Sequence, residues 1–245
     1  GAMGFLDHLD ELRQRIIRAC VALGVGMLVS FAFIARIADF VLGPTLAALP
    51  PGTSLITTRL GEGLSFYMDL ALLGGIVLAA PSITYQLWRF IAPGLYARER
   101  RLVVPFVVLA TLGTLLGAAF THFVLFPSMV AFFGAFDSPR MRLMPRVEDT
   151  FGLYKNMLIG MVAVFQIPTL VYFLARLGLV AARLLWRYVG HAVLASFVIS
   201  AVLTPSSDPW NQVLFAGPMI ALYLVGIAVA WLVAPKPGHA TPLPG

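Results

Sequence analysis

Six blocks of nearly uninterrupted apolar sequence, at about 19–41, 66–88, 102–126, 151–175, 188–203 and 213–233, restrict the fold of this chain more than any other feature. Hydrocarbon is about 30 Å thick and an α-helix rises about 1.5 Å per residue, so some 20 apolar residues cross it. No water is available there to satisfy backbone N–H and C=O groups, and helices, whose hydrogen bonds are internal, are what such blocks adopt. With 60% apolar and 11% charged residues and a mean hydropathy of +0.90, a water-facing globule is excluded. The prediction is an all-α integral membrane protein, a single six-span domain over residues 5–234. Residues 1–4 read as the N-terminal end with a cloning scar, and the Pro-rich 235–245 reads as a disordered tail. The fifth block stops at Thr204-Pro205 and the sixth carries Pro218, so this last hairpin is expected to be short and to thin the membrane locally.

Orientation follows from the basic residues. Eleven flank one set of block ends: Arg13, Arg15, Arg18, Arg89, Arg98, Arg100, Arg101, Arg176, Arg183, Arg187 and Lys236. Five lie on the other side, Arg36, Arg59, Arg140, Arg142 and Arg146, and Lys155 can snorkel from the end of block four. The positive-inside rule therefore puts both termini in the cytoplasm. Phe5, Leu9, Leu12 and Ile16 recur at helical spacing, with Asp7, Asp10 and Arg13 elsewhere on the wheel, which predicts an interfacial helix leading into span one. On the outer side Pro44, Pro50-Pro51-Gly52 and Asp137-Ser138-Pro139 are expected to break helices.

Catalysis finds little support. There is no nucleophile elbow, zinc-protease motif, P-loop or dinucleotide fingerprint. His8, His122, His191 and His239 are scattered, with no partner at metal-ligand spacing, and neither metal nor cofactor is expected. The single cysteine, Cys20, excludes an internal disulfide and reads as a packing residue. A net charge of +6 suits anionic headgroups rather than nucleic acid, because the arginines sit between apolar blocks and are not interleaved with exposed aromatics.

What remains are charged clusters beside the membrane. One reads His8-Leu-Asp-Glu-Leu-Arg13; the other runs from Trp88-Arg89-Phe90 through Pro93-Gly-Leu-Tyr96 to Glu99-Arg100-Arg101. A carboxylate at an interface takes a guanidinium through two parallel hydrogen bonds, which makes Glu11 and Glu99 candidate readers of a basic ligand. Ordinary ion pairing with neighbouring arginines is the plainer reading of both at this point, because such pairs are common and weak.

The first cluster, the Phe90-Ile-Ala-Pro-Gly-Leu-Tyr96 segment running into Glu99-Arg-Arg-Leu-Val-Val-Pro105, Phe165-Gln-Ile-Pro168, and Thr204-Pro205 through Asp208 to Gln212 occur in an order that resembles the TatC family. That is the multispanning subunit of the twin-arginine protein translocase, and the resemblance covers nearly the whole chain from Phe5. It implies a concave, cup-like bundle in a bacterial or archaeal cytoplasmic membrane. It also implies a receptor for signal peptides with paired arginines, working with small single-span subunits of the TatA and TatB type to move folded proteins with the proton-motive force. Glu11 and Glu99 would then recognise the arginine pair, with Arg13, Phe90, Arg100 and Arg101 shaping the surface around them.

By the same resemblance Gln166, Thr204 and Gln212 belong to polar patches within the membrane that meet a partner helix or face the cup. The family usually carries glutamate where this chain has Gln166, and an amide cannot ionise; simple bonding to a neighbouring helix is the plain alternative. Asp69 stands where a basic residue is more frequent and reads as a solvated helix-end charge. Gly113-Thr-Leu-Leu-Gly117 fits the close-approach pattern of membrane helices, a spacing that also arises by chance. An ion-coupled secondary transporter, requiring titratable groups at the midplane, is the alternative function, and a structural scaffold is a third.

Overall fold

A computed structural model describes residues 5–48, 54–91, 102–136, 138, 144–203 and 209–233. Ten α-helices cover most of these residues: α1 Phe5–Ala32, α2 Ile34–Ala48, α3 Glu62–Ile91, α4 Val103–Phe120, α5 Phe126–Gly134, α6 Val147–Val164, α7 Ile167–Arg176, α8 Ala182–Arg187, α9 Val189–Leu203 and α10 Pro209–Val233. Five stretches are long and apolar enough to cross a bilayer: Leu9–Ala32, Glu62–Phe90, Val103–Gly134, Val147–Arg176 and Pro209–Val233; Val189–Val202 is a shorter apolar helix. Among the described residues, five of the six blocks thus form helices long enough to span, and the fifth block forms a shorter apolar helix.

Several local expectations change. The amphipathic start of the chain is not a separate interfacial helix: α1 runs unbroken from Phe5 to Ala32, because nothing between them interrupts the hydrogen-bond ladder. The first block is instead divided at Phe33, whose N–H bonds to Ser30 O at 3.2 Å, a one-residue tightening of the ladder. Pro44 does not break a helix but lies inside α2, at the cost of one backbone bond, a placement tolerated in membrane helices. The third span continues past 126 to Gly134, with a π-helical turn over Thr121–Leu125 where Pro127 follows without an N–H to give. Pro168 has the opposite effect in span four, splitting it into α6 and α7 at Phe165-Gln166. The last hairpin is short on one side only: α9 has 15 residues, about 22 Å, whereas α10 has 25, about 37 Å, despite Pro218. Residues 1–4, the Pro50-Pro51-Gly52 and Asp137/Pro139 breakers, His239 and the 235–245 tail lie outside the described residues.

Packing runs α1 on α3, α3 on α4, α4 on α6, α7 on α10 and α9 on α10, with α2 against α5. Hydrophobic burial does not hold helices together in lipid, so close backbone approach matters, and glycine supplies it. A Cβ on Gly26 of α1 would stand 2.7 Å from Gly75 O of α3, and one on Gly117 of α4 would stand 2.9 Å from Val162 Cα of α6. The Gly113/Gly117 pair, unremarkable as a spacing, is therefore the contact between α4 and the α6–α7 junction. Cys20 does not pack: it is exposed, because α1 presents only one face to α3.

The main core joins α2, α3, α5, α6 and α10 around Leu70, Phe126, Met129, Met157 and Phe215. His122, in the π-turn, is stacked on Phe40 with ring centroids 3.8 Å apart and lies edge-on to Tyr154 at 6.1 Å. A cavity of about 1200 Å³ is lined by residues including Phe66, Asp69, Phe126, Lys155 and Asn156.

Candidate functional site

The bundle has two ends. The proximal end gathers the start of α1, the end of α3 and the start of α4; the distal end gathers the α2–α3 connection and the start of α6.

At the proximal end α1 and α3 bring Glu11 of the first cluster close to Arg89 of the second. Glu11 is half-buried and its Oε1 accepts from Arg15 Nη2 at 2.8 Å, one turn along α1. Arg15 Nη1 also donates to Gln86 Oε1 of α3 at 3.4 Å, which ties the two helices. Arg89 donates to the Tyr85 hydroxyl at 3.1 Å and sits over that ring at 5.8 Å. Arg13 is exposed and Phe90 half-buried. Beneath them Trp88, Phe106 and Phe173 form a buried aromatic cluster with ring centroids 4.8–5.1 Å apart, fastening α3, α4 and α7. This anchors the two ends of the segment that carries Glu99, Arg100 and Arg101, three residues that lie outside those described. The described part of this end is thus a carboxylate paired with one guanidinium and close to others.

Within the bundle Gln166 occupies the break that Pro168 creates. Its Nε2 donates to Ala110 O at 3.0 Å and to Thr114 Oγ1 at 3.1 Å, while Thr114 Oγ1 donates to the same Ala110 O at 3.0 Å. Both contacts use N–H donors, which an ionised carboxylate lacks. Gln166 is thus a cross-helix staple, possible because Gly113 lets the junction come close: a Cβ there would meet Phe165 O at 2.9 Å. Gln212 is half-buried near the start of α10, where its backbone carbonyl accepts from Ser200 Oγ of α9 at 2.9 Å. Thr204 lies outside the described residues.

The distal end holds two features that the sequence did not indicate. Asp69 is not a lone helix-end charge; it pairs with Lys155, the residue expected to snorkel, across α3 and α6. Glu62, 5% exposed, accepts from the Thr58 and Arg59 N–H groups at 2.8 and 3.1 Å and from the Glu148 N–H at 3.2 Å, with Arg146 at 3.7 Å. A parallel bridge pairs Ile56 with Arg146, so the α2–α3 connection is clipped to the start of α6. No signal in the sequence joins residues 86 apart; only the i, i+4 spacing of Glu11 and Arg15 was readable. Among the described residues no group of three or more His, Cys, Asp or Glu side chains could hold a metal.

Comparison with known proteins gives a consistent picture. The family model described as "TatC: Sec-independent protein translocase protein (TatC)" matches residues 7–218. A Sec-independent protein translocase protein TatC from Koribacter versatilis is 38% identical over 237 residues, covering 96% of this chain and 87% of the relative. One from Deinococcus radiodurans is 35% identical over 230 residues, covering 91% and 84%. A crystal structure described as the twin arginine translocase receptor TatC superposes with a TM-score of 0.79 at 30% identity, covering 92% of this chain and 99% of that one. A second such structure, in DDM, gives 0.81 at 29% identity, covering 91% and 99%.

Proposed function

Because this chain belongs to the TatC family of Sec-independent protein translocase proteins, we propose that it is the receptor subunit for paired-arginine signal peptides. The family shows a multi-pass membrane protein that is a translocase component, and transport of protein across the membrane is its work. The solved relatives are described as receptors, and that role is carried here to the proximal end. In this reading the proximal end faces the cytoplasm of a bacterial or archaeal cell, in keeping with its larger share of the arginines.

One observation carries the proposal: Glu11, at the membrane edge of α1, already engages a guanidinium at 2.8 Å. A signal-peptide arginine arriving there meets an acceptor of the right charge and shape. Two parallel N–H···O bonds fit a guanidinium and not the point-like ammonium of lysine, so a carboxylate pair at Glu11 and Glu99 distinguishes the two. An unpaired arginine is costly where water is scarce, and the carboxylate offsets that cost. Arg13, Phe90, Arg100 and Arg101 border the site and set its shape and local charge.

Transport follows from what the receptor assembles. Thr204 and Gln212 are assigned to the surfaces that meet the transmembrane helix of small single-span subunits of the TatA and TatB type, while Gln166 holds the α6–α7 junction to α4 behind them. The short α9 favours a locally thin bilayer beside them. Folded cargo then crosses in the assembled complex, driven by the proton-motive force. The transporter alternative loses its basis, since the amide of Gln166 is committed to α4 and cannot titrate.

The test uses the protein in nanodiscs and a fluorescent twin-arginine signal peptide. Glu11→Gln and Glu99→Gln each weaken binding tenfold or more, and the lysine-pair peptide binds the native chain correspondingly weakly, by about one charge-assisted hydrogen bond. Equal affinity across the native chain, both variants and both peptides would sink the assignment.

A further inference from the structure

The proposed receptor carboxylate is already occupied. Arg15 Nη2 lies 2.8 Å from Glu11 Oε1, and the two side chains are only 12% and 18% exposed. The guanidinium is held in place by Gln86 Oε1 at 3.4 Å, while its Nε is buried with no partner among the described residues. Arg15 therefore stands where an arriving guanidinium has to bind.

We propose that Arg15 is an internal competitor for the signal-peptide site, neutralising Glu11 in the empty receptor and setting the affinity threshold that a peptide must exceed. This rests on Glu11 being a receptor carboxylate. Among the described residues the resident contact uses a single carboxylate oxygen, Oε1, and its geometry is limited by the i, i+4 offset on one helix. A peptide arginine has no such restriction and engages both oxygens, so it displaces the resident group. Arg15 then leaves Glu11, and its link to Gln86 of α3 is released with it. Competition of this kind acts on the free receptor. It divides the fraction of competent sites, and so multiplies the Kd of every ligand by the same factor without changing their ratio. Weak cationic segments thereby fall below the working range, while discrimination between arginine and lysine pairs stays with the carboxylates.

The experiment is a binding titration of full-length protein in nanodiscs with labelled arginine-pair and lysine-pair peptides. Arg15→Gln tightens both by one common factor, roughly 2–5-fold, as expected for removing a partly screened ion pair. Arg15→Lys, which keeps the charge but holds a carboxylate less well, gives a smaller gain. Arg18→Gln removes the same charge one turn further along and leaves Glu11 paired, so it changes affinity less than about twofold. The inference is overturned if Arg15→Gln leaves affinity unchanged or weakens it, since Arg15 would then brace the helices or contact the peptide itself. An equal gain from Arg18→Gln also overturns it, pointing to general charge repulsion. Glu11→Gln in the otherwise native chain separates the two claims. If it binds like the native chain, the receptor reading itself fails; if it binds weakly while Arg15→Gln gives no gain, only the competitor fails.

Discussion

Replacing Gly113 with alanine tests whether the α4 contact with the α6–α7 junction is as tight as its distances indicate. The added methyl carbon would lie 2.9 Å from Phe165 O, 3.3 Å from Gln166 Nε2 and 3.4 Å from Gln166 Oε1, where ordinary contact begins at 3.4 Å. The junction has to withdraw by about 0.5 Å, and the Gln166 bonds to Ala110 and Thr114, now 3.0 and 3.1 Å, stretch to about 3.5 Å, the edge of hydrogen bonding. Overpacking costs about 1–3 kcal/mol. Two weakened hydrogen bonds add about 1–2 kcal/mol. Better helix propensity of alanine returns about 1 kcal/mol, for a net loss of about 1–4 kcal/mol. Gly117→Ala meets Val162 Cα at 2.9 Å and Met161 O and Val162 N at 3.1 Å, all backbone atoms, so it costs a comparable amount through overpacking alone. Gly152→Ala, in α6 with nothing within 4 Å of the new carbon, is neutral or slightly stabilising. Reversible unfolding in mixed micelles with rising SDS, followed through the fluorescence of buried Trp88 and its fellow tryptophans, ranks the three. Gly113→Ala and Gly152→Ala agreeing within about 0.5 kcal/mol would refute the reasoning, because the penalty assigned to close approach would be absent.

Two further perturbations probe the distal end. Glu62→Ala removes the acceptor for three backbone N–H groups, and the clip between the α2–α3 connection and α6 loosens by about 1–3 kcal/mol; limited proteolysis between residues 54 and 61 should rise sharply, and less so in Glu62→Gln, while unchanged cleavage in both would contradict this. A double-mutant cycle on Asp69→Asn and Lys155→Gln should give a coupling of only about 0.2–1 kcal/mol, reduced by added salt, because the side chains are 43% and 34% exposed; zero coupling at low salt would mean that the pair does not hold α3 to α6.

Much of the fold was legible because a bilayer leaves a chain so few choices. Apolar length and the need to satisfy every backbone group dictate helices at the six blocks, and the breaks within them follow from prolines whose effects depend on their surroundings. Pro168 divides span four, whereas Pro44 and Pro218 stay inside helices. The proline itself is visible in the sequence; which neighbour donates to the freed carbonyl is not. The candidate site was legible in part for a similar reason. Glu11 could be named from local chemistry and from the motif around it, and its pairing with Arg15 follows from the helical repeat.

Composition, block length and motif order thus determined by themselves the membrane, the helices and the family, since each depends on residues near one another in the chain. Tertiary structure decided the rest. Asp69 found Lys155, Glu62 found the Glu148 N–H, and Gln166 found Ala110 and Thr114 because helices far apart in sequence meet at particular heights and rotations. Those are set by where glycines let backbones touch, as at Gly26 with Gly75 and at Gly113 with the α6–α7 junction. A polar side chain in lipid must bond to whatever that docking brings within reach.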